Sequence, residues 1–230
     1  MTQEIVDGSV VKALLKLYPG DIPTSLMREN PVRAEGDFDP NTYFTVLTNL
    51  SMKPGYTLDY VYHYIDDFGG SPCLYARPVD EKPLDSYSEH REWNGENNLL
   101  SFLVADGTPD SFFQLAVFNK LAGQFYLHWH ANYNDLTIVT SRKELETIIA
   151  DVNRGDFGSK FTEEQASAMR AIDPEPTVEL SELIAVVRYC IFSKWGGMAR
   201  LEELFLRKPP HWQAETNLLA EISYHCGVCY

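Results

Sequence analysis

Apolar residues first recur along this chain at helical spacing and then switch to alternation. Val10, Val11, Leu14, Leu15, Leu17 and Tyr18 share one broad stripe, which predicts a helix over Ser9–Tyr18 stopped by Pro19-Gly20. The runs Tyr43–Leu50, Thr57–Ile65 and Cys73–Arg77 read as strands, divided by the turn signals Lys53-Pro54-Gly55 and Asp66 to Ser71. Turns this short suit an antiparallel meander. Ser111–Ala122 is apolar most of the way round, so a deeply buried helix is expected there, capped by Asp110 and ended by Gly123. Phe125–Ala131 and Leu136–Thr140 read as a hairpin around Asn132-Tyr133-Asn134-Asp135.

Ser141 with Glu144, and Thr162 with Gln165, have the spacing of capping boxes and open two further helices, the second broken by Asp173-Pro174-Glu175-Pro176. Leu183–Lys194 and Met198–Leu206 flank Trp195-Gly196-Gly197 as a hairpin, although Arg200–Leu206 also fits a helix, and Asn217–Tyr224 fits a last strand. Strands and helices are grouped instead of alternating. The expected class is α+β, with antiparallel sheets of meander and hairpin strands packed with about four helices.

Val79–Asn98 breaks the pattern. It holds six acids, two bases, a proline and a glycine with hardly any apolar residue, and so reads as a functional loop or a link. The expectation is one α+β domain over 1–230. The alternative is two lobes, 1–78 and 99–230, joined by the acidic segment 79–98.

Charge narrows the partners. Over 230 residues, 19 bases face 33 acids, a net charge of −14, with much of the excess in Asp59–Asp110, where eleven acids meet three bases. Phosphate backbones and anionic membranes are held through Lys and Arg, so neither nucleic acid nor membrane is expected as a partner. Steering toward a basic protein is favoured instead. Met1 to Asp7 lacks the basic start and apolar stretch of a secretory signal, and no window reaches the ~18 apolar residues of a membrane span. Four cysteines are too sparse for a disulfide scaffold, so a cytoplasmic chain with all four thiols reduced is expected.

Candidate chemistry is sparse. In a strand over Phe125–Ala131, Tyr126, His128, His130 and Asn132 would share the polar face, and paired imidazoles can ligate a metal. Asp135 is the nearest carboxylate and sits where a turn wants it, so polar face residues without a metal are expected. Cys226-Gly227-Val228-Cys229 has redox spacing, but no second pair completes a zinc site. Leu58, Tyr60, Tyr62 and Tyr64 alternate as an aromatic row that suits packing under a helix. No phosphate-binding, dinucleotide, nucleophile-elbow or His-Glu-x-x-His motif is present.

No cofactor is expected. The reading that follows is a non-enzymatic acidic binding protein, of the inhibitor or immunity type, that meets a basic protein through Asp80, Glu81, Asp85, Glu89 and Glu92. The alternative is a metal-dependent hydrolase or small-ligand-binding protein using the His128/His130 strand face.

Overall fold

Helix α3, Pro109–Leu121, sits at the centre because its sequence offers almost no polar side to water: Phe112, Phe113, Leu115, Ala116, Val117, Phe118 and Leu121 are all buried. Each fully buried Phe or Leu of this kind stabilises by roughly 1.5–3 kcal/mol. The cap is Thr108 and not Asp110. The Thr108 hydroxyl accepts from Ser111 N, and Pro109 fills the first helical position, where no amide is needed.

The computed structural model describes residues 3–93, 98–129, 136–155 and 158–227. Its architecture is α+β, with antiparallel pairing throughout. The main sheet runs β1 (Gln3–Ile5), β8 (Thr177–Leu180), β9 (Ile184–Ser193), β10 (Gly197–Leu206) and β11 (Gln213–Ile222). Strand β7 (Thr137–Val139) shares one side of β9 with β8, taking Cys190–Phe192 while β8 takes Ala185–Arg188. A ribbon pairs β2 (Leu50–Met52) with β5 (Leu103–Ala105), and a third sheet joins β3 (Tyr56–Tyr64), β4 (Gly69–Pro78) and β6 (His128–Trp129).

Strand alternation divides the core. Ala185, Val187 and Tyr189 face one way, into the larger cluster with α3, α1 (Ser9–Leu15) and the β3 tyrosines. Cys190 and Phe192 face the other way, under α4 (Arg142–Arg154) and α5 (Glu163–Ala171). The larger cluster draws on residues from both sides of segment 79–98, from Val6 to Tyr62 and from Leu100 to Phe205. Two buried polar groups fasten its layers. Glu203 on β10 receives Lys120 of α3 at 2.8 Å and Gln213 Nε2 at 2.7 Å. His211 links the ribbon to the sheet, with Nε2 accepting from Ala105 N at 3.1 Å and Nδ1–H donating to Leu206 O at 2.9 Å.

Three local expectations are corrected. Tyr43–Leu50 is not a strand: Pro40–Thr45 forms a 3-10 turn, because the Asp39 carboxylate accepts from Asn41 N and Pro40 fixes the first turn. The described part of the first run, Phe125–Trp129, does not hairpin with Leu136–Thr140, since β6 pairs with β4 and β7 with β9; the expected turn Asn132-Tyr133-Asn134-Asp135 lies outside the described residues. The Ser141–Glu144 box closes on one side only. Ser141 accepts from Glu144 N, but Glu144 Oε2 accepts from Thr140 N and its hydroxyl, each at 2.8 Å. The Thr162–Gln165 box is complete.

No helix of the described residues is long and apolar enough to cross a membrane. Cys73, Cys190 and Cys226 are free thiols, while Cys229 lies outside the described residues. Burial pushes Cys73 up to about 11 and raises Cys190 as well, so at neutral pH both are thiols and poor nucleophiles. Iodoacetamide at pH 7.5 should therefore leave both unmodified in the native state, and should label them fully once the chain is unfolded in denaturant without reductant. Rapid labelling of Cys190 in the folded protein would contradict its burial; peptide mass spectrometry reads both sites.

Candidate functional site

The β3–β4 hairpin carries a cluster of charged, phenolic and imidazole side chains around Asp59 and Tyr75. Residues 58, 60 and 62 of β3 point into the larger core, so Leu58, Tyr60 and Tyr62 are buried. The opposite face, with Asp59 and Val61, is buried too, which an exposed hairpin face would not be. Segment 79–93 covers it. Tyr87 stacks on His63 with ring centroids 3.7 Å apart, and Tyr75 touches His90 and Trp93 at 5.5 and 5.6 Å. Burial lowers the pKa of both His63 and His90, with the positive charge of Arg91 adding to the effect at His63. Both act as flat, neutral packing groups at pH 7.

The same segment is tied by hydrogen bonds. Leu84 N donates to the Tyr75 hydroxyl at 2.7 Å, Val79 N donates to Gly55 O at 3.0 Å, and Arg77 Nη1 donates to Glu81 O at 2.6 Å. Ser86 caps the short helix α2 (Tyr87–Glu92), and Glu89 reaches back to accept from Asp85 N at 2.6 Å. The acidic segment is thus a packed element with a helix of its own, not the solvated loop that its charge suggested. Asp80, Glu81, Asp85, Glu89 and Glu92 all remain exposed on its outer surface.

Beneath this surface lies a buried ion cluster. Asp59, 5 % exposed, accepts from Arg33 Nη1, from Arg77 Nε at 2.8 Å and from Tyr60 N at 2.9 Å. Arg77 sits diagonally across the ladder, two residues past Tyr75, the partner of Asp59, and so shares its face. Arg33 comes from the opposite direction, around the free edge of β3, with its guanidinium 4.0 Å over the Tyr60 ring. Next to it, the Asn41 side chain substitutes for a neighbouring strand, donating to Leu58 O at 2.8 Å and accepting from Leu58 N at 3.0 Å. A cleft of about 470 Å³ runs along this edge, lined by Arg33, Asp39, Asp59, Tyr60, Arg77 and Asp85 among others.

The histidine face is placed differently. Tyr126 is not on a strand: its φ is +53°, its hydroxyl accepts from Phe38 N at 3.3 Å, and its carbonyl accepts from the Tyr62 hydroxyl at 2.8 Å. Buried among Phe125 and the β3 tyrosines, it packs as a core residue. His128 is half-buried on β6, while His130 and Asn132 lie outside the described residues. Among the described residues, no three His, Cys, Asp or Glu side chains converge as a metal site would require.

Nothing in the spacing of Arg33, Asp59, Tyr60 and Arg77 along the chain marks them as a group. The available signal was Asp59 itself, a lone charge inside the strand-like run Tyr56–Tyr64 that needs a partner if both faces are covered. Comparison with protein-family models, with curated proteins and with solved structures finds no match to this chain.

Proposed function

We propose that the chain is a non-enzymatic acidic binding protein, of the inhibitor or immunity type, and that its partner is a basic protein. The observation that supports this is the anchoring of segment 79–93. Five exposed carboxylates stand on an element whose underside is fixed by Tyr75, Arg77, His63 and Tyr87. A fixed array meets its partner with less ordering entropy to lose than a mobile tail would. The net charge of −14 adds long-range attraction for a basic protein.

Capture from the native cell should yield a basic protein, and stopped-flow association across a salt series then tests the role of the array. The informative variant changes Asp80 and Asp85 to Asn and Glu81 and Glu92 to Gln, taking the net charge from −14 to −10 by removing four negative charges. Glu89 is left intact because its carboxylate holds the start of α2. Association at low salt should slow by about tenfold or more, and its salt dependence should flatten, because exposed charges act over roughly 8 Å at physiological salt. Dissociation should change less. Stability should stay within about 0.5 kcal/mol, as for other exposed substitutions. An unchanged association rate at low salt would end the steering role.

A further inference from the structure

Trp212 leaves 47 % of its surface open to solvent, although it directly precedes β11 and follows the buried His211. It lines a pocket of about 430 Å³, a volume in the range of small-molecule sites. Phe102, Leu103, Val104, Pro209 and Pro210 complete its apolar walls. Lys53 is the only charged residue of the lining, and no acid lines it, in a chain of 33 acids and 19 bases.

The walls are held from behind. His211 bonds Ala105 N on β5 and Leu206 O on β10, which pins the Pro209–Trp212 turn to the strand carrying Leu103 and Val104. Trp212 N donates to Pro210 O at 3.0 Å, and Trp212 O accepts from Leu206 N at 3.0 Å. On the opposite wall, Lys53 N donates to Phe102 O at 2.7 Å and the Tyr56 ring packs on Phe102 at 4.7 Å. The Lys53 ammonium lies 5.6 Å from the centre of that Tyr56 ring. Walls fixed in this way need little reordering to accept a ligand.

We propose that this pocket binds a small aromatic compound with one anionic end, its ring against Trp212, Phe102 and Pro210 and its charge at Lys53. Apolar walls that include an indole and a phenyl favour a ring, because aromatic pairs gain more than the area they bury. The sign of the polar end follows from Lys53. A net charge of −14 repels an anion at a distance, but exposed charges are screened over roughly 8 Å at physiological salt, so at the rim the nearest group decides. The site shares no residue with the five exposed carboxylates and is independent of the protein-partner reading.

The test follows the Trp212 indole N–H in ¹⁵N-edited NMR of the whole chain, assigned by its loss in Trp212→Phe. The probes are phenylacetate, phenethyl alcohol and phenethylammonium, which share a ring and differ in charge. Phenylacetate should move the Trp212 signal and the Val104 amide saturably at millimolar concentration, while the Trp93 and Trp195 indoles stay in place. The alcohol should bind about threefold more weakly, the size expected of one exposed charge pair, and the ammonium more weakly still. Lys53→Gln should bring phenylacetate to the level of the alcohol and leave the alcohol unchanged. Trp212→Ala, followed at the Val104 amide, should weaken phenylacetate by about tenfold. Both side chains are exposed, so both variants should melt with the parent. Absence of a saturable Trp212 shift overturns the proposal, and so does an unchanged affinity in Trp212→Ala. Ammonium binding as tight as phenylacetate, or phenylacetate binding that ignores Lys53→Gln, overturns the anionic assignment.

Discussion

Changing Gly197 to alanine is expected to lower the melting temperature by about 10 °C, while the same change at Gly196 does little. Gly197 opens β10 with φ +85°, a region where an L side chain costs roughly 1–2 kcal/mol. An added Cβ would also run into the Ile222 carbonyl oxygen and come within 2.6 Å of Tyr224 N, both of them backbone atoms that cannot rotate aside. Relief would require the end of β11 to move away from β10, and with it Tyr224 and Cys226, which belong to the smaller core. Cys226 N donates to Lys194 O at 2.9 Å, so the turn and the chain end would loosen together. The combined cost is on the order of 3 kcal/mol or more, and a chain of this size loses about 2–4 °C per kcal/mol. At Gly196 the added Cβ would meet only Ser193 Oγ, at 3.3 Å, and the backbone is not left-handed. Calorimetry of both variants separates conformational strain from a general dislike of alanine in the turn. Equal melting temperatures would contradict the close approach of the backbones.

That pair of glycines also shows how far the sequence could be read. Trp195-Gly196-Gly197 announces a turn between two apolar runs, because local turn chemistry is written in local residues. The complete capping box at Thr162 and Gln165 was legible for the same reason. Which glycine is indispensable was not, since the obstructing atoms belong to Ile222 and Tyr224 on another strand. Tyr126 is a similar case. Alternation carries Phe125–Ala131 as a strand on paper, but a left-handed turn at φ +53° breaks it, held by contacts with Phe38 and Tyr62 that lie far away in the chain. At Pro40–Thr45 the aromatic run suggested β structure, although Asp39-Pro40 upstream was a legible helix-start signal.

In the acidic segment composition points away from the structure: the charges dominate the run over the four residues Leu84, Tyr87, His90 and Trp93 that fasten it to the hairpin. The ion cluster below it was hidden for a plainer reason: Arg33 and Arg77 meet Asp59 only once the β3–β4 register is set and the chain has turned back along the strand edge.

Replacing Asp59 with alanine should cost about 3 kcal/mol, near the lower end of what breaking one side of a buried ion pair removes. Two guanidiniums would then face each other without the carboxylate that separates them, and Tyr60 N would lose its acceptor. The partial exposure of the arginine side chains, 31 % for Arg33 and 17 % for Arg77, lets water recover part of the loss, which sets the value at the low end. Removing one negative charge from a chain at −14 relieves general repulsion slightly, but that gain is screened and spread over the whole surface, so the local loss wins. Urea unfolding with an unchanged slope would read the cost directly; a loss under ~1 kcal/mol would mean that the cluster is surface-like. Asp59→Asn, which keeps the shape and one acceptor, should fall between the two. The damage should centre on segment 79–93, because Arg77 also holds Pro78 O and Glu81 O, and hydrogen exchange of those amides should accelerate before the main sheet responds. A partner that relies on a fixed carboxylate array then separates two effects. Neutralising the exposed acids slows encounter. Loosening their support in Asp59→Asn leaves the exposed array's own charges in place and removes only one buried, paired charge, so association should hold while dissociation quickens. If both variants changed only the association rate, the array would be acting as charge alone, and its anchoring would have no part in recognition.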